Sequence, residues 1–94
     1  MSDIVSNTEG VMSCWTDRVP VRVISAGPKT TMVRRVEVRY DDNGYEVPGS
    51  RGEMTGGIIV FSLRKDGSWV ERGAKMGEGW RFRVGEHGYY DRSF

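Results

Sequence analysis

Thr31-Met32-Val33-Arg34-Arg35-Val36-Glu37-Val38-Arg39-Tyr40 alternates apolar and charged residues along its second half. Val36, Val38 and Tyr40 fall on one face of an extended chain, and Arg35, Glu37 and Arg39 on the other. A period of two is the pleat of a β-strand and does not fit a helix face, which needs apolar residues three and four apart. The spacing predicts a strand over residues 31–40. Asp41-Asp42-Asn43-Gly44 ends it, and Asn-Gly is a strong type I′ hairpin signal. Residues 45–47 are then the start of a return strand.

The same period and the same punctuation extend outward. Upstream, residues 11–15 are a short strand candidate, broken by Thr16-Asp17-Arg18, and Pro20 opens a strand over 21–25. Ala26-Gly27-Pro28-Lys29 reads as a turn. Downstream, residues 48–57 hold four glycines, one proline and no large aliphatic residue, and are expected to be the longest loop. Residues 58–65 read as a strand buried on both faces at its start. Asp66-Gly67 is a two-residue turn, and residues 68–72 return. A further turn spans 73–79. Trp80, Phe82 and Val84 then alternate with Arg81 and Arg83 before a turn over 85–88 and a closing segment, 89–94.

No stretch carries a helical period. Five to seven short strands, with turns roughly every 8–12 residues, are the pattern of an all-β domain. The expected fold is a small single-domain barrel or strongly bent antiparallel sheet, SH3-like or OB-like, with a two-layer sandwich as the alternative. Residues 1–9 are expected to be a flexible polar tail and 10–94 the single β domain.

Composition bounds what such a domain can do. The chain has 94 residues and a formal net charge of +1, from 14 basic and 13 acidic side chains. That near-balance argues against a duplex-DNA coat or a polybasic membrane anchor. One cysteine, Cys14, excludes an internal disulfide and a cysteine-based zinc site within one chain. The longest apolar run, Ile58-Ile59-Val60-Phe61, falls far short of the ~20 residues that span a bilayer. The N-terminus lacks the basic region and long apolar stretch of a signal peptide. No membrane partner and a cytoplasmic location are therefore expected.

Catalytic constellations are absent from the pattern. His87 is the lone histidine and sits in an expected turn, so no histidine metal cluster forms within one chain. Asp41-Asp42 reads as a turn former, and Gly49-Ser50-Arg51-Gly52 lacks the Lys-Ser/Thr ending of a phosphate-binding loop. No enzyme activity and no cofactor are expected.

Binding is better supported. The basic residues are eleven Arg and three Lys, and Arg offers a planar fork for phosphate or for stacking. Arg22, Arg35, Arg39, Arg81 and Arg83 alternate on strands, and if those strands are adjacent they form an arginine ladder. Trp15, Tyr89 and Tyr90 lie near strand ends or turns, as do Tyr45 and Trp69. Cation plus aromatic face suits a nucleotide, and it equally suits a protein interface. Residues 15–39 carry net +4 and residues 40–56 net −3, a polarity compatible with self-association.

Three blocks carry a resemblance: Thr16-Asp17-Arg18, then Leu63-Arg64-Lys65-Asp66-Gly67-Ser68-Trp69-Val70, then Tyr89-Tyr90-Asp91-Arg92-Ser93-Phe94. Over most of residues 15–94 the chain resembles a group of small proteins encoded by phages and prophages. The resemblance implies an accessory protein acting in the infected bacterial cytoplasm, by stoichiometric binding against host defence. The leading expectation is sequestration of a nucleotide-derived immune signal by a homo-oligomer. Arg22, Arg35, Arg39, Arg81 and Arg83 meet its phosphates, and Trp15, Tyr89 or Tyr90 stacks on its base. The alternatives are a direct inhibitor of a host defence protein, with acidic residues 41–53 mimicking nucleic acid, and an SH3/OB-like nucleic-acid binder.

Overall fold

The computed structural model describes residues 6–14, 17–73, 79–85 and 88–89. Its strands are β1 (Glu9–Cys14), β2 (Asp17–Ala26), β3 (Thr30–Val36), β4 (Met54–Leu63), β5 (Trp69–Glu71) and β6 (Arg81–Val84). Each pairs antiparallel with its sequence neighbours, and β6 closes on β1 through Met12 opposite Phe82. The result is a closed six-stranded barrel. The expected small all-β barrel is the fold observed, within the expected strand count.

Alternation fills the barrel. Met12, Val21, Val23, Val33, Phe61 and Phe82 form one buried cluster, edged by Val19, Ala26, Ile59, Trp69 and Trp80. The rings of Phe61 and Phe82 lie 5.8 Å apart, in tilted contact. A barrel of this size has room inside for side chains and for little else.

Closure is helped by irregularities in two strands. Ile24 is an extra residue in β2 between the pairs Val23–Val33 and Ser25–Met32. On β4, Gly56, Gly57 and Ile58 stand opposite Arg34 alone, between the pairs Val33–Ile59 and Arg35–Thr55. Gly56 has a φ of 76°, and Arg34 Nε donates to its carbonyl at 3.0 Å. Bulges of this kind bend a sheet and re-aim its side chains.

Several local expectations are corrected. The strand over 31–40 ends at Val36. Its alternation continues to Tyr40. Glu37 still bonds to Gly52 and Glu53, just ahead of β4, but from Arg39 the backbone pairs elsewhere: Val47 N–H donates to Arg39 and Asp41 N–H donates to Tyr45. Periodicity reports an extended backbone and cannot report which strand it pairs with. Asp17 and Arg18 do not break a strand; they open β2. Asn7 and Thr8 hydrogen-bond to Val23, and Glu9 already belongs to β1, so the polar start is tied down from residue 7 onward. Met54 to Gly57 belong to β4, which shortens the expected loop. Ile58 is 59% exposed, not buried on both faces, because the bulge turns it outward.

Both hairpin turns use the same three-residue loop in place of a two-residue one. Gly44 N–H donates to Asp41 and Gly67 N–H to Arg64, with the ladder resuming at Tyr45 and Ser68. Only the glycine takes a positive φ, 88° at Gly44 and 89° at Gly67. That is a turn followed by a glycine bulge, not a type I′ turn, which needs positive φ at both central residues.

Thr31 is fully buried in the barrel, opposite Ala26 and Phe61. Its hydroxyl has no hydrogen-bond partner among the described residues. A buried hydroxyl without a partner costs about 1–3 kcal/mol. Thr31→Val removes that cost at equal shape. It is expected to raise stability by about 1 kcal/mol, read as a rise of several degrees in thermal midpoint; a lowered midpoint contradicts the assignment.

Candidate functional site

β2 is longer than the barrel needs. Its last register partner on β3 is Val21 opposite Arg35. Before that point the freed edge of β2 takes another partner. Arg18 and Tyr89 exchange both backbone hydrogen bonds, each at 2.8 Å. Tyr89 pairs in turn with Tyr45, and Tyr40 pairs with Glu46. A second small ladder thus runs outward from β2, through 88–89 and 45–46, to 40–41.

Residues directly opposite on a ladder share a face. Arg18, Tyr89 and Tyr45 therefore form one row. The two tyrosine rings are in contact, with centroids 4.8 Å apart and planes at 47°. Arg18 is exposed, and Tyr45 is 54% exposed. Gly88 lets this strand lie flat on β2, because a Cβ there would stand 2.5 Å from the Pro20 ring.

The opposite face of the ladder is closed by charge. The Glu46 side chain is 3% exposed and the Arg51 side chain 13%. Arg51 donates to Glu46 through two nitrogens, Nε at 2.7 Å and Nη2 at 2.9 Å. Its Nη1 reaches Glu9 at 3.2 Å and the Val21 carbonyl at 3.3 Å. Glu9 in turn pairs with Arg22 across β1 and β2. Glu46 grips Gly88 twice: its N–H donates to the Gly88 carbonyl at 2.9 Å, and its Oε1 accepts from the Gly88 N–H at 2.9 Å. The immediate neighbours of Glu46 and Gly88 are Tyr45 and Tyr89, so the ion pair fixes the row.

Electrostatics agree with this geometry. Burial alone pulls the Arg51 guanidinium down, but the bonds to Glu46 and Glu9 outweigh it and hold its pKa above the usual value. Burial pushes the Tyr40 hydroxyl up, and the Glu46 charge pushes it further. Beside these groups lies an open surface pocket of about 340 Å³, lined by Glu9, Glu46, Pro48, Gly49, Arg51 and Gly85.

The residues expected from sequence are dispersed by the topology. Arg22 is engaged by Glu9. Arg35 stands opposite Val21 in the last pair between β2 and β3 and lies close enough to Tyr40 to influence its ionisation. Arg39 is exposed in the segment after β3. Arg81 and Arg83 are on β6, which pairs with β1 and β5 and not with β2. The expected arginine ladder therefore does not form: β1 separates Arg81 and Arg83 from Arg22. Tyr89 lies in the row, while Trp15 and Tyr90 lie outside the described residues. Tyr45, noted in the sequence as another aromatic near a turn, joins Tyr89 in the row, and the structure adds Arg18, Glu46 and Arg51. The five-residue spacing of Glu46 and Arg51 within a loop carries no sequence signal.

Fold and site together define a small closed antiparallel barrel bearing an exposed tyrosine–arginine row. Compared with family models, curated proteins and solved structures, the chain finds no match in any of the three. Among the described residues, no group of three or more His, Cys, Asp and Glu can hold a metal ion. No helix among them is long and apolar enough to cross a membrane.

Two outcomes follow from the ion pair. Arg51→Met leaves the Glu46 carboxylate buried without its partner and is expected to cost about 3 kcal/mol or more in urea denaturation. Glu46→Gln keeps an acceptor for Gly88 and costs less; equal losses would contradict the bracing role. Tyr40 binds its proton more tightly when folded, so its contribution is complete below the ordinary tyrosine value of 10.0 and is lost as pH rises through the higher folded value. Tyr40→Phe is expected to flatten the alkaline limb of the stability profile. An unchanged limb would rule out Tyr40 as its source.

Proposed function

We propose that this protein is a non-enzymatic binding module that holds a nucleotide on the Tyr45–Tyr89 row, with Arg18 meeting phosphate. The row itself carries the reading: two touching aromatic rings, one half exposed, with a guanidinium on the same face. Every base has a π-face, and stacking on an aromatic side chain contributes about 1–3 kcal/mol per base. Arg supplies the phosphate fork that a ring cannot.

The resemblance to small phage-encoded proteins supplies the setting. In that setting the module sequesters a nucleotide-derived immune signal of the host. Tyr45 and Arg18 are exposed, so in this reading a second copy laid over the row encloses the ligand, and the protein acts as a homo-oligomer. The acidic-mimic reading is weakened because Glu46 and Arg51 neutralise each other inside the fold. Single-stranded nucleic acid also stacks on such a row, and salt separates the two ligands. Many phosphate contacts give a steep salt dependence.

Isothermal titration with cyclic di- and trinucleotides and ADP-ribose derivatives tests the reading. Binding is expected, with about tenfold or greater loss in Tyr45→Ala. No heat with any of these ligands, or a Tyr45→Ala variant that binds as well as wild type, overturns it.

A further inference from the structure

The row does not stop at Tyr45. Asp41 faces Tyr45 at the outer end of the ladder: its N–H donates to the Tyr45 carbonyl at 2.8 Å. Its Oδ1 accepts from the N–H groups of Asn43 and Tyr45, each at 2.9 Å. Those two bonds fix the carboxylate. Its Oδ2 takes no bond among the described residues, and Asp41 is exposed. The ladder thus reads Arg18, Tyr89, Tyr45, Asp41: cation, ring, ring, carboxylate. Three strand spacings separate the ends, about 14 Å.

We infer that this order selects guanine nucleotides, a specificity that rests on the nucleotide reading above. With phosphate at Arg18 and the base stacked on the tyrosines, the outer edge of the base meets Asp41. A carboxylate only accepts hydrogen bonds. Guanine presents adjacent N1–H and N2–H₂ donors on that edge. Adenine places its N1 lone pair beside its single amino group, and cytosine does the same with N3. Uracil flanks its one N–H with two carbonyls. Guanine alone puts donors, and no opposing lone pair, against Asp41, and a hydrogen bond to a charged group discriminates strongly.

Calorimetry with guanosine, inosine and adenosine monophosphates tests this, because the three share one phosphate and one sugar. Wild-type protein is expected to bind the guanine nucleotide about tenfold tighter than the adenine nucleotide. The inosine nucleotide, lacking the N2 amine, is expected to fall between them. Asp41→Asn keeps the Oδ1 acceptor that holds the turn and removes the charge. It is expected to weaken guanine binding about tenfold while leaving adenine binding unchanged. Equal wild-type affinities, or a D41N loss shared by all three, overturn the guanine preference and leave nucleotide binding standing. Failure of all three, together with the cyclic and ADP-ribose ligands, overturns both.

Discussion

The Arg51–Glu46 pair is the interaction on which the surface of this protein depends. It is nearly dry, and it is doubly hydrogen-bonded. Its remaining bonds reach Glu9 on β1, the Val21 carbonyl on β2 and the Gly88 N–H. A buried ion pair adds little net stability, since desolvation offsets most of the attraction. What it supplies here is position. It ties the 46–51 loop and the chain after β6, neither of which contributes to the buried cluster, to β1 and β2. The apolar cluster of Met12, Val23, Phe61 and Phe82 closes the barrel without setting where Tyr45 and Tyr89 stand.

The outer ladder follows from a mismatch of strand lengths. β2 has ten residues, and its pairing with β3 stops at Val21. The exposed edge that remains would invite another chain. Residues 88–89 cover it, and the row is the outward face of that cover. The near-neutral total charge hides this arrangement. Glu9, Arg22, Glu46 and Arg51 neutralise one another at the ladder's base. Arg18 and Asp41 are left exposed at opposite ends of the row.

Much of the barrel was legible because it is local. The alternation over residues 35–40 reports an extended backbone, the glycines at 44 and 67 report turns, and Phe82 between Arg81 and Arg83 reports a strand, each from neighbouring residues. Register and partner are not local. Nothing in residues 31–40 says that the backbone changes partners after Glu37, and nothing near Arg22 says that Glu9 lies beside it. The site was half visible for the same reason. Tyr45 and Tyr89 both stand out as aromatics near turns, but they are 44 positions apart in the chain, and Arg18 lies 71 positions from Tyr89. Closure order decided the arginines: Arg81 and Arg83 alternate as expected, on a strand that does not pair with β2.

Amide and aromatic chemical shifts followed during nucleotide titration test the central claim most directly. The account predicts shifts concentrated at Arg18, Asp41, Tyr45 and Tyr89, with Arg81 and Arg83 on β6 undisturbed. Shifts centred on β6, or on the Glu9–Gly85 pocket with the tyrosine row unmoved, would contradict it.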